Sequence, residues 1–313
     1  MRALVCGISG QDGAYLAELL LNNGYEVIGT SRDAMANSFR NLEYLGIKDR
    51  ITKISMAIND FRSVLGAIIQ FKPDEIYNLA GQSSVGLSFE QPVETMDSIG
   101  GGTLNLLEAI RFSRCDIRFY NAGSSECFGN TGQHPATEET AFSPRSPYGV
   151  AKTTAHWLVR NYRESYGLFA CNGILSNHES PLRPERFVTQ KIIRAAKRIA
   201  AGSKELVRLG NIEIERDWGW APEYVVAMHM ILRHEKPEDF VIATGRSVSL
   251  QYFIARVFDN FGLAWADYIV FDSTLLRPSD IKINRACPSK ANSVLNWRHT
   301  IDVDLVIDRM CTA

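Results

Sequence analysis

The chain has 313 residues, enough to bury a large core, and it exceeds the length at which one domain is the default, so a main domain with a smaller appendage is expected. Its 34 Lys and Arg against 35 Asp and Glu leave a formal net charge of −1, which excludes the overall basic field of a nucleic-acid or membrane-surface binder and points to a small-molecule partner.

Apolar, β-branched runs at residues 3–6, 26–29, 54–56, 75–79, 117–121 and 168–175 read as buried parallel strands. Helical patterns such as 13–23 and 91–112 lie between them, and this alternation is that of repeated βαβ units in a doubly wound parallel sheet. After about residue 176 the pattern loosens into a basic helix over 187–202 and shorter segments. We therefore expect a dinucleotide-binding domain over 1–175, rejoined by a segment at about 212–243, and a smaller substrate-binding lobe from 176–211 and 244–313. The ligand cleft should lie between them. No apolar run reaches the roughly 20 residues of a membrane helix, and with a strand starting at Arg2 there is no room for a signal peptide. Six cysteines without a C-x-x-C spacing suit reduced thiols better than disulfides or zinc, so the expected compartment is cytoplasmic. His229 and His234 stand five apart on a helical pattern, on different faces, and no metal site is expected.

Taken along the chain, the first chemical motif is Gly7-x-x-Gly10-x-x-Gly13, between a strand and a helix. Glycine there permits a tight turn and close backbone approach to a pyrophosphate at a helix N-terminus. The second strand runs into Gly29-Thr30-Ser31-Arg32. A hydroxyl and a guanidinium stand where NAD-preferring enzymes place a carboxylate, which favours NADP, with Arg32 and Arg40 as partners for its 2′-phosphate. Downstream come Ser124-Ser125-Glu126 and Tyr148-Gly149-Val150-Ala151-Lys152. Tyr148 and Lys152 are four apart on a helix and leave the same face. A lysine ammonium beside a phenol lowers its pKa, and a serine from the preceding strand end, Ser124, can hold the substrate oxygen. Glu126 adds a carboxylate that simple alcohol oxidation does not need, and this points to a dehydratase.

The motifs Gly10-Gln11-Asp12-Gly13-Ala14-Tyr15-Leu16-Ala17, Tyr77-Asn78-Leu79-Ala80, Ser88-Phe89-Glu90-Gln91-Pro92, Pro144-Arg145-Ser146-Pro147-Tyr148, Asn177-His178-Glu179-Ser180-Pro181 and Arg216-Asp217-Trp218-Gly219 carry a resemblance that runs nearly end to end. The chain resembles extended short-chain dehydrogenase/reductases, and most closely the GDP-mannose 4,6-dehydratases. The resemblance implies catalytic roles for Ser124, Glu126, Tyr148 and Lys152. It implies a cofactor site of Gly7, Gly10, Gln11, Asp12, Gly13, Arg32, Leu79, Ala80, Tyr148, Lys152, Asn177 and His178. It also implies a substrate site of Ser83, Ser125, Asn177, Arg183, Val188, Lys191, Arg216 and Arg277. Tyr148 would take the C4 hydroxyl proton as hydride passes to NADP, Glu126 the C5 proton, and water would leave from C6. A homodimer or homotetramer is the implied assembly. Other readings are a dehydratase of another GDP-sugar such as a heptose, a sugar-nucleotide epimerase or reductase, and a non-catalytic nucleotide-sugar-binding homologue.

The departures from that family are Ala57-Ile58 and Ile99 in place of polar residues, Pro184 in place of glycine, and a shortened stretch between Phe253 and Arg277. Gly100-Gly101-Gly102 interrupts a helix, at about 1 kcal/mol per glycine relative to alanine, and implies loosened packing beside the cofactor.

Overall fold

The computed structural model describes residues 1–313. Six strands alternate with helices up to residue 175: β1 Arg2–Cys6, β2 Glu26–Ser31, β3 Thr52–Ser55, β4 Glu75–Asn78, β5 Arg118–Ala122 and β6 Ala170–Leu175. Six more follow: β7 Asn177–Glu179, β8 Val207–Leu209, β9 Glu215–Trp220, β10 Phe240–Ile242, β11 Ser247–Ser249 and β12 Ile269–Phe271. The main sheet has seven strands in the order β10-β6-β5-β4-β1-β2-β3, and every pairing in it is parallel.

The alternation of β1 explains why both faces of this sheet are covered. Ala3 and Val5 point into one core, with Leu16 and Leu20 of helix Gln11–Asn22 and Met228 and Ile231 of helix Ala221–Arg233. Leu4 and Cys6 point into the opposite core, with Ile68 of helix Phe61–Phe71, Leu106 of helix Gly102–Ser113 and Val159 of helix Pro147–Tyr166. A strand buried on both faces has to be apolar wherever it is covered, and β1 is so from Ala3 to Cys6, with only Arg2 at its exposed start charged.

Chain order reverses between β1 and β4, so the turns after these strands part and leave a crevice at their C-terminal ends. The approach there is close: a Cβ on Gly7, whose φ is +83°, would lie 2.8 Å from the Leu79 carbonyl oxygen. A third core, from Ile192 and Ile193 of helix Val188–Ala200, Phe253 and Val257 of helix Leu250–Asp259 and Val306 of helix Val303–Thr312, builds the smaller lobe. Two small sheets accompany it, β11-β9-β7 and β12-β8. The chain crosses into this lobe at β7, returns to the main sheet through helix Ala221–Arg233 and β10, and leaves again at β11.

The glycine run behaves differently from the expectation of loosened packing. Residues Asp97–Gly101 form a π-helical turn that leads without interruption into helix Gly102–Ser113. Packing around it is tight. A Cβ on Gly102 would meet Ile58 at 3.0 Å and one on Gly100 would meet Met96 at 3.2 Å, while Ile99 is 2% exposed and packs with Ala151, Ala155 and Tyr148. The side chains are small because the neighbours are close; only Gly101 faces open space.

Candidate active site

A cavity of about 490 Å³ opens at the crevice and extends beneath the smaller lobe. Asp12, Leu79, Ser83, Ser124, Glu126, Tyr148, Lys152, Asn177, His178, Arg183, Val188, Lys191, Arg216 and Arg277 all line it. Of the residues singled out from sequence, Gly7, Gly10, Gln11, Gly13, Arg32, Ala80 and Ser125 do not contribute to this lining.

Helix Pro147–Tyr166 presents two of the lining groups, and its start is encoded locally. Ser146 caps it by accepting from the Gly149 amide at 3.0 Å, Pro147 occupies the first turn, and Gly167 ends it at φ +67°. Tyr148 and Lys152 therefore sit one turn apart, and the Lys152 Nζ lies 5.8 Å from the centre of the Tyr148 ring. Lys152 donates to the Ala122 carbonyl at the end of β5 at 2.7 Å. Burial disfavours its ammonium and brings it down to about 8. Burial also pushes the Tyr148 phenol up, and the facing Ser124 hydroxyl works in the opposite direction.

Beyond β5, the Ser124 Oγ accepts from the Glu126 amide at 3.3 Å and caps the 3₁₀ turn Ser125–Cys127. That turn aims Glu126 into the cavity. Burial raises the Glu126 pKa, against the nearby charges of Arg216 and Arg277. The turn is held from behind by Asn284, 2% exposed, whose amide donates to the Ser125 carbonyl at 2.9 Å and the Gly129 carbonyl at 3.2 Å.

At the cofactor motif, a Cβ on Gly13 would lie 2.4 Å from the Gly7 carbonyl oxygen, so helix Gln11–Asn22 packs onto the turn as only glycine allows. Gly10 at the cap supplies no side chain to the first-turn amides, which remain open to a phosphate. A glycine cradle with an uncapped helix start fits a dinucleotide pyrophosphate. The adjoining side chains have a second task. Asp12 Oδ2 meets His178 Nε2 at 2.8 Å, while Gln11 donates to the His178 carbonyl at 3.1 Å and accepts from Ser180 Oγ at 2.7 Å. They tie the first helix to β7. Burial opposes the Asp12 charge, but His178 holds the carboxyl down to about 2; burial likewise opposes the imidazolium, and Asp12 raises it.

Arg32 lies outside the cavity, exposed at the end of β2 and 3.2 Å from Glu94. Lys191 is directed to the Arg208 carbonyl at 2.7 Å. Arg183 stands 3.3 Å from Glu179 and 3.9 Å from the centre of the Phe187 ring. Two contributors escape sequence reasoning. Asp280 is 3.2 Å from Arg277 and 3.5 Å from Arg216, and an acid three residues after an arginine is its only local signal. Asn284 has no signal, because its contacts lie 155 and 159 residues away.

Comparison with known proteins places this arrangement. Residues 4–310 match the family model described as GDP-mannose 4,6 dehydratase. GDP-mannose 4,6 dehydratase 2 of Arabidopsis thaliana is 44% identical over 318 residues, covering 98% of this chain and 85% of that one. The human GDP-mannose 4,6 dehydratase is 39% identical over 336 residues, covering 99% and 90%. Among solved structures, the UDP-glucose 4-epimerase of Thermotoga maritima with UDP-glucose aligns over 100% of this chain and 98% of its own, with a TM-score of 0.88 at 22% identity. The dTDP-glucose 4,6-dehydratase of Bacillus anthracis in complex with NAD aligns over 100% and 96%, with a TM-score of 0.87 at 18% identity. At those identities the structural likeness speaks for the fold alone, a doubly wound parallel sheet with a smaller lobe.

Proposed function

This chain belongs to the GDP-mannose 4,6-dehydratase family, and from that premise we propose that it is a lyase converting GDP-mannose to its 4-keto-6-deoxy form by internal hydride transfer through bound NADP. The observation that carries the reading is a carboxylate, Glu126, opening into the same cavity as Ser124, Tyr148 and Lys152. A bound dinucleotide would supply the acceptor for the C4 hydride and its return at C6. Tyr148 takes the C4 hydroxyl proton, with Lys152 supplying positive charge beside the phenol and Ser124 holding the oxygen. Oxidation at C4 acidifies the C5 proton; Glu126 takes it and passes it to the C6 hydroxyl, whose C–O bond breaks so that it leaves as water. Asn177, Val188, Lys191, Arg216 and Arg277 hold the nucleotide, the two arginines facing its diphosphate.

Preference for NADP is supported by the end of β2, where Thr30, Ser31 and Arg32 stand and the next carboxylate, Asp33, is occupied in accepting from the amides of Met35 and Ala36. The exposed Arg32–Glu94 pair is weakly held, which leaves the guanidinium free for a 2′-phosphate. Cytoplasmic residence is supported by six free cysteines; no helix is long and apolar enough to cross a membrane. A homo-oligomer is supported by a groove on helix Pro147–Tyr166 that includes Val150 and Trp157, respectively 42% and 51% exposed.

The test is to incubate the protein with NADP and GDP-mannose and follow the sugar nucleotide by mass spectrometry. Loss of one water is expected, with Glu126→Gln slowing it on the order of 100- to 10,000-fold while C4 oxidation, read as absorbance of the reduced cofactor, persists. An unchanged mass with the wild type would sink the assignment to GDP-mannose.

A further inference from the structure

Four charged side chains of alternating sign run along one wall of the cavity: Arg277, Asp280, Arg216 and Glu126, separated by 3.2, 3.5 and 3.7 Å. Arg216 is the fixed member. It is 4% exposed, its Nη1 donates to the carbonyls of Glu215 at 2.9 Å and Ile281 at 2.8 Å, and only its Nε edge turns to Glu126. A guanidinium pinned by two backbone carbonyls cannot swing between partners, so any anion that uses it must come to it. The same cation therefore serves two anions at once: the diphosphate assigned to it above and the carboxylate that removes the C5 proton.

These two tasks conflict in the ligand-free protein. A cation beside Glu126 favours the ionised form and so weakens it as a base, while a second carboxylate on the cation's far side, Asp280, takes up part of that charge. A diphosphate arriving at Arg216 and Arg277 takes up more. We propose that Arg216 couples the two events, so that docking of the diphosphate withdraws its charge from Glu126 and the base gains its full strength only when a sugar nucleotide is in place, with Asp280 as the positioning residue that sets the resting balance. The inference rests on the diphosphate site proposed above. Burial already makes Glu126 a stronger base than a free carboxylate, and the diphosphate removes part of what the two arginines still hold back. The other ionisable groups facing Glu126 are Cys127 on its own turn and Tyr148 on the catalytic helix, both neutral near pH 7 because burial raises them, so the circuit is closed by the four residues of the wall.

The test uses GDP as the probe and needs no turnover. Calorimetric titration of the NADP-loaded protein with GDP, in two buffers of different ionisation enthalpy, reads protons taken up on binding. Glu126→Gln subtracts the protonation of GDP itself. The expected result is net uptake by the wild type over Glu126→Gln, about half a proton per site at its maximum for a one-unit change. In Asp280→Asn, where Arg216 acts on Glu126 without a competitor, the uptake should move to lower pH. Binding with equal uptake in wild type and Glu126→Gln, or a window that Asp280→Asn leaves in place, would overturn the coupling and leave the dehydratase reading intact. Failure of GDP to bind would overturn the nucleotide site, and the coupling with it.

Discussion

Lys152 shows what a single side chain gives up for chemistry. Its ordinary value of 10.5 is brought down to about 8 by burial, so below pH 8 both folded and unfolded chains hold the proton and the folded state bears the desolvation of the ammonium. As pH rises from about 8 towards 10.5 the folded protein releases the proton first, and stability increases. That penalty is on the order of 3 kcal/mol, offset in part by the hydrogen bond to the Ala122 carbonyl, itself about 1 kcal/mol. Lys152→Met is accordingly expected to lower turnover at least about 100-fold while raising unfolding free energy by roughly 1–2 kcal/mol at pH 7. Urea denaturation across pH checks this: the advantage must shrink above pH 8, and a wild type more stable than the variant at pH 7 would refute it. The Tyr148–Lys152 spacing is legible in the sequence because an i,i+4 pair is local. The burial that depresses Lys152, and the Ala122 carbonyl 30 residues away that partly offsets it, are set by tertiary packing and are not.

Among the elements, the clearest contrast is between the catalytic helix and the π-helical turn. Ser146, Pro147 and Gly167 mark the first in the sequence, since capping is decided within one turn of chain. The second takes its form largely from what surrounds it: Ile58 closes on Gly102 and Thr154 on Gly100 from distant parts of the chain, with Met96 adding a contact from the preceding turn. Alanine substitution separates the two kinds of glycine. Gly101 has helical dihedrals and nothing within 4 Å of its missing Cβ, so Gly101→Ala is expected to stabilise by about 0.5–1 kcal/mol. Gly102→Ala, with Ile58 at 3.0 Å, is expected to lose that gain and destabilise by about 1 kcal/mol. Thermal melts of the two variants give the answer, and equal stabilisation by both would contradict the packing account.

For the whole molecule, the Asp12–His178 pair is a cross-link between the first helix and the strand at which the chain enters the smaller lobe. Asp12 is held below its ordinary 3.8, so its contribution is present above that value and disappears as pH falls towards 2; His178 is held above 6.5, so its contribution is complete below 6.5 and disappears as pH rises through its elevated value. The pair should therefore stabilise most between about pH 4 and 6.5. Asp12→Asn is expected to lower unfolding free energy by about 2 kcal/mol at pH 5, with the difference from wild type closing towards pH 2 and narrowing above neutrality. A pH-independent difference, measured by denaturant titration, would mean that packing and not charge joins the two elements.

What the sequence determined by itself is whatever depends on short-range periodicity and spacing: the parallel strands buried on both faces, the glycine turn ahead of the first helix, the capped catalytic helix and the Tyr148–Lys152 pair. Tertiary structure alone decided the rest. It brought Glu126, Arg216, Asp280 and Arg277 into one line of charges, put Asn284 behind the catalytic turn, and turned a run of glycines into a close-packed π-helical turn. The physical reason is that each of these depends on groups far apart in the chain, and their distances are set by the packing of a sheet and a lobe, for which no local pattern carries a signal.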